Sequence, residues 1–184
     1  LWEGGLTLYG GLLLCFLSAA IFLRRRGVPF LRMADVMAPS LGLGLLITRI
    51  GCFLNGCCFG LPTDGPLGVC FPAGSEAARM ALSLAAGHAH GGDCVPIHPA
   101  QLYSAFAGLT ILVSLLLFDR RRHFEGAVFA LFLLLYGIKR FTVDHFRYYE
   151  EAMTVAGLSV DQWLSIGLVA AAVWIALSRR RRAG

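Results

Sequence analysis

Charge is what this sequence has little of. Asp, Glu, Lys and Arg make up 15% of its 184 residues, against roughly 25% in a soluble domain. Hydrophobic residues make up 57%, and the mean hydropathy is +0.69. That apolar content exceeds what one water-soluble core of this length takes up, so lipid is the expected solvent. No secretory leader is visible either: no basic stretch in these residues is followed by an apolar run and a small-residue cleavage site. Internal repeats and low-complexity tracts are absent too. The expectation is a single domain over residues 1–184. The start at Leu1, in a Gly-rich segment, leads us to expect further helices before it.

Five stretches are apolar over about the 20 residues that a membrane-crossing helix needs. They run from about Leu6 to Leu23, Phe30 to Leu54, Pro99 to Phe118, Gly126 to Val143 and Trp163 to Leu177. Arginine sets their orientation, because short basic loops stay cytoplasmic. Arg24, Arg25, Arg26, Arg32, Arg120, Arg121, Arg122 and Arg179 to Arg182 lie on one side, eleven of the sixteen basic residues. The opposite connections, about 55–98 and 144–161, hold only Arg79 and Arg147. The expected architecture is therefore all-α: a polytopic bundle of about five spans, N-terminus out and C-terminus in. The +5 net charge is accounted for by these runs, and no nucleic-acid partner is expected.

Ionisable residues at membrane depth are costly, so they mark candidate sites. Arg49 lies near the outer end of the second span, with Gly51, Asn55 and Gly56 after it. Its fork suits phosphate or carboxylate; the alternative is an arginine reaching to the surface. On the fourth span Tyr136, Arg140, Asp144 and Arg147 follow helical spacing and form one stripe, with Lys139 beside it. That stripe reads either as a polar wall for an anion or as a salt-bridge ladder. At the start of the third span, His98, Pro99, Gln101 and Tyr103 can meet an anionic headgroup or simply cap the helix. The paired glycines around Tyr9 read as tight helix packing or as close approach to a lipid.

The outward connection carries Cys57, Cys58, Cys70 and Cys94, with Cys52 just before it and His88, His90 and His98 along it. An oxidising compartment favours disulfides there. Cys and His also bind metals, but the spacing matches no usual zinc pattern. The expectation is at least one disulfide among Cys57, Cys58, Cys70 and Cys94, with no metal and no cofactor. Cys15, within the first span, reads as packing.

Five segments together resemble the prolipoprotein diacylglyceryl transferase family. They are GGLTLYGGL from Gly4, TRIGCFLNGCCFGLPTDGPLGVCFP from Thr48, HPAQLYSAF from His98, YGIKRFTVDHFR from Tyr136 and LSVDQWLSIGL from Leu158. They come in the family's order. The resemblance implies a bacterial inner-membrane enzyme that moves the diacylglyceryl group of phosphatidylglycerol onto the thiol of a lipobox cysteine in a prolipoprotein signal peptide. It implies a bundle of seven helices, N-out and C-in, of which the five here would be the last. By this likeness Arg49, Arg140, Tyr136 and Tyr9 are the candidate catalytic residues. Asn55, His98, Gln101, Tyr103, Asp144 and Arg147 are the candidate substrate-binding residues. The likeness is uneven. The family usually has His at Tyr9, Asn at Cys52, an acidic residue at Cys57, Gly at Thr48, and Glu at Ser104 and Asp144. The arginine part of the site is retained better than its acid–base part. Two other readings stay open: a membrane protein that binds anionic phospholipid without catalysis, and a metal or redox protein built on the cysteine loop.

Overall fold

The computed structural model describes residues 4–84, 94–121, 124–144, 154–155 and 158–183. Among the described residues six helices follow one another: α1 (Gly4–Arg25), α2 (Phe30–Leu54), the short α3 (Glu76–Leu84), α4 (Ala100–Asp119), α5 (Ala127–Asp144) and α6 (Val160–Ala183). A two-residue antiparallel pair, β1 (Thr154–Val155) and β2 (Leu158–Ser159), precedes α6. Sequence patterning did not anticipate that pair. Three helical segments among the described residues are long and apolar enough to cross a membrane: Phe30–Leu54, Ala100–Asp119 and Gln162–Arg179. Their outward faces carry large exposed apolar side chains, among them Leu54, Phe106, Leu117 and Trp174. Lipid is the solvent that suits such faces.

α2 packs antiparallel on α4, and small residues let the two backbones close up. A Cβ added to Gly42 would stand 3.2 Å from the Leu112 Cα, and one added to Gly108 would stand 3.1 Å from the Leu46 backbone nitrogen. Glycine thus sets the spacing at two levels of the pair, which is how helices associate when hydrophobic transfer provides no drive between them. α5 packs on α6, α4 and α2. Gly137 repeats the device against α6, where a Cβ would come within 3.1 Å of the Ser165 carbonyl oxygen. The core is built from Ala38 on α2, Ile111 and Leu115 on α4, Val128, Phe132 and Leu133 on α5, and Ala172 and Ile175 on α6.

One carboxylate fixes the start of α5. The first N–H groups of a helix have no partner within it. Asp35, on α2 and 2% exposed, accepts from the Gly126 N–H through Oδ2 at 2.7 Å and from the Phe129 N–H through Oδ1 at 2.8 Å. The cap is supplied across 91 residues of sequence. An acidic group at a helix N-terminus also opposes the helix dipole favourably. Arg32 and Glu125 approach to 4.0 Å at the same level, but both are more than half exposed, so that pair adds little.

The connection between α2 and α4 has a small core of its own. Ala77 and Ala81 on α3 bury against Val95 and Ile97, with Phe59 and Phe71 packed alongside. Backbone bridges tie Pro62 and Val69 to Ile97, and a disulfide joins Cys70 to Cys94. The expected disulfide in this loop is therefore present.

Candidate functional site

Chemistry collects where α2 ends, the loop begins and α4 starts. Asn55, Gly56 and Cys57 donate their N–H groups back to the carbonyls of Gly51, Phe53 and Cys52. The chain then bends sharply, with φ of +67° at Gly56 and +58° at Cys58. Gln101 on α4 holds this bend from below. It is fully buried, and its Nε2 donates to the Cys57 carbonyl at 2.8 Å. Its Oε1 is buried with no hydrogen-bond partner.

His98 precedes α4 and is half-buried. Its Nδ1 lies 3.1 Å from the Tyr103 hydroxyl. The His98 carbonyl accepts from the Gly60 N–H, which ties the His98 backbone to the loop after α2. Asn55 caps α2 and is exposed. Arg49, half-buried and three residues before Cys52, lies within electrostatic reach of that thiol. His98, Gln101, Tyr103, Asn55 and Arg49, chosen from the sequence, are thus collected around one helix-to-loop junction.

The second part of the site lies on α5. Tyr136 is half-buried and stacks on Phe132 with centroids 5.8 Å apart. The Lys139 ammonium sits 5.4 Å from the Tyr136 ring centre. Lys139 is only 6% exposed, and it borders a cleft of about 380 Å³ between α4 and α5. Tyr103, Phe106, Thr110, Ile138 and Thr142 also line this cleft. Tyr103 therefore joins the two parts, bonded to His98 on one side and facing the cleft on the other. Arg140 is half-buried on the same helix. Asp144 ends α5, and its side chain lies outside the described ones, as does that of Tyr9 on α1. Arg147 lies outside the described residues.

Sequence reasoning placed Lys139 only beside its stripe. The structure buries it at the cleft. The available signal was an ionisable residue at membrane depth, applied there to Arg140 and Asp144 ahead of Lys139. The sequence also did not foresee that Cys52, Cys57 and Cys58 meet: one ligand atom from each lies within 4.8 Å of the other two.

The model of the prolipoprotein diacylglyceryl transferase family matches residues 1–178. The chain belongs to that family. A phosphatidylglycerol–prolipoprotein diacylglyceryl transferase of Methylococcus capsulatus is 38% identical over 170 residues, covering 92% of this chain and 57% of its own length. One from Bordetella parapertussis is 34% identical, covering 98% of this chain and 64% of its own length. One from Burkholderia thailandensis is 36% identical, covering the whole chain and 67% of its own length. The chain thus spans about three fifths of the first two family members.

Proposed function

We propose that this chain carries the lipid site of a phosphatidylglycerol–prolipoprotein diacylglyceryl transferase in a bacterial inner membrane. Five spans, N-terminus out and C-terminus in, would put residues 55–98 on the outer side and the arginine runs in the cytoplasm. The observation that carries this reading is the α4–α5 cleft: an apolar slot between membrane helices with the buried Lys139 and with Tyr103 among the residues that line it. Acyl chains fit its apolar lining. Lys139 supplies positive charge for a phosphate, and Arg49 and Arg140 would supply more.

In the proposed reaction a bond forms between the lipobox cysteine sulfur and the terminal glyceryl carbon of the lipid. The bond from that carbon to the phosphate oxygen breaks. The products are a thioether and glycerol phosphate, and the thiol proton leaves with a base. The nucleophile is a thiolate, since a thiol attacks poorly. The arginines would stabilise charge gathering on the departing phosphate. Tyr136 and Tyr9 would relay the proton or bond the glyceryl oxygens. Asn55, His98, Gln101, Tyr103, Asp144 and Arg147 would position the headgroup and the peptide.

The test is conversion of a synthetic lipobox peptide in vesicles containing phosphatidylglycerol, followed by mass spectrometry. A mass gain equal to the diacylglyceryl group, lost in Arg49→Ala, supports the reading. Phosphatidylglycerol binding without any peptide conversion would replace it by a lipid-binding role on the same fold.

A further inference from the structure

The cysteines of this protein fall into two separate sets. Cys70 and Cys94 are joined to each other. Cys52, Cys57 and Cys58 are free thiols, and their sulfur atoms all lie within 4.8 Å of one another. Cys52 sits in the last turn of α2, and Cys57 is folded back onto it by the N–H to carbonyl bond between the two residues, 3.1 Å long. Cys58 completes the triangle only because its backbone takes φ +58°. Among the described residues it is the one non-glycine with positive φ. That conformation is strained for an L-residue and persists where the surroundings enforce it. Here they do: the buried Gln101 amide pins the Cys57 carbonyl at 2.8 Å.

We propose that these three thiols form a binding site for one thiophilic closed-shell metal ion, of the copper(I) or zinc(II) type. Metal–sulfur bonds of about 2.3 Å place the sulfur atoms of such a site about 3.8–4.0 Å apart. The observed triangle, with its sulfur atoms within 4.8 Å of one another, is within about 1 Å of that size. Thiolates select soft ions, copper(I) and zinc(II) among them. Three sulfurs complete a trigonal copper(I) sphere, while zinc(II) takes one water as its fourth ligand. Three thiolates leave a net negative charge with either ion, and Arg49, one helical turn from Cys52, stands within electrostatic reach to offset part of it. The three half-buried sulfurs leave an entry path for the ion. None of this depends on diacylglyceryl transfer.

The experiment is metal titration of the full chain, purified anaerobically in detergent, with copper(I) and with zinc(II) in separate arms, each against a competing chelator. The expected result in at least one arm is one ion per chain. In that arm X-ray absorption should show three sulfur neighbours at about 2.3 Å, and three thiols should be shielded from alkylation while Cys15 reacts. Changing a group outside the first coordination sphere typically costs roughly 10–100-fold in affinity, so Cys57→Ser and Cys58→Ser, which remove direct ligands, should each cost more than that. Cys15→Ser should bind as the parent does. Retention of the Cys70–Cys94 disulfide and of helical circular dichroism shows that the variants are folded. Failure of both ions to bind stoichiometrically overturns the proposal. So does undiminished binding by a folded Cys57→Ser, Cys58→Ser double variant, or a disulfide involving Cys52 in protein taken directly from membranes.

Discussion

The Asp35 carboxylate and the backbone of Gly126 are joined by a 2.7 Å hydrogen bond in the bundle interior. With its second oxygen on the Phe129 N–H at 2.8 Å, Asp35 does for α5 what no residue within that helix does. Removing it takes the partner from one buried and one part-buried N–H group, and each bond to a charged group is worth about 1.5–3 kcal/mol. Asp35→Ala should therefore lower stability by about 3 kcal/mol. Asp35→Asn, which keeps one acceptor, should fall between the two. Thermal unfolding in detergent measures this. Equal midpoints for the parent and Asp35→Ala would show that the cap contributes nothing.

Phosphatidylglycerol affinity should depend on the half-buried arginines and not on the exposed ones. Loss of a buried charged hydrogen bond costs about 2–5 kcal/mol, so Arg49→Ala and Arg140→Ala should weaken binding at least tenfold, since about 1.4 kcal/mol is a factor of ten. Arg49→Lys should recover only part of that, because the bidentate fork is gone. Arg120 is exposed at the far end of α4, and Arg120→Ala should bind as the parent does. A native-lipid binding assay in which Arg49→Ala and Arg120→Ala behave alike would remove Arg49 from the site.

Lys139 gives a charge-selective prediction. Lys139→Met keeps most of the side-chain volume and removes the ammonium that sits over the Tyr136 ring. Binding of phosphatidylglycerol should fall by roughly tenfold, the equivalent of about 1.4 kcal/mol. Binding of uncharged diacylglycerol should stay the same. A parallel loss for both lipids would mean that Lys139 holds the cleft open and does not read the headgroup.

The Cys70–Cys94 bridge closes a loop with a sequence separation of 24 residues. Chain-entropy arguments give a closure of this length about 3.5 kcal/mol. Cys70→Ser should release the Val69 and Ile97 pairing and expose the loop to protease, while the helices stay folded. Proteolysis of the variant with an unchanged rate in this loop would show that the bridge is dispensable.

Much of the helical framework was readable because apolar run length and arginine punctuation are local signals. The second span was expected at Phe30 to Leu54 and is found there. The third and fourth were expected to start at Pro99 and Gly126, and the helices begin at Ala100 and Ala127. What escaped depends on long-range contact. Asp35 lies within the second span, and its partner is 91 residues away. The three-sulfur cluster needs a left-handed Cys58, and no spacing rule encodes that. His98 and Tyr103 were grouped from a short motif, and their 3.1 Å contact follows from a first helical turn that brings the two rings together.

The cap at Asp35 also makes α5 a lever. Its beginning is pinned to α2 by two short hydrogen bonds, so a change in its tilt pivots there. Lys139 lies thirteen residues along from Gly126, an arm of about 20 Å at 1.5 Å per residue. A tilt of roughly 5° about that pivot moves Lys139 by about 1.7 Å on that arm. The width of the slot beside Tyr103 thus responds to the opposite end of the helix, through a carboxylate that does not line the slot.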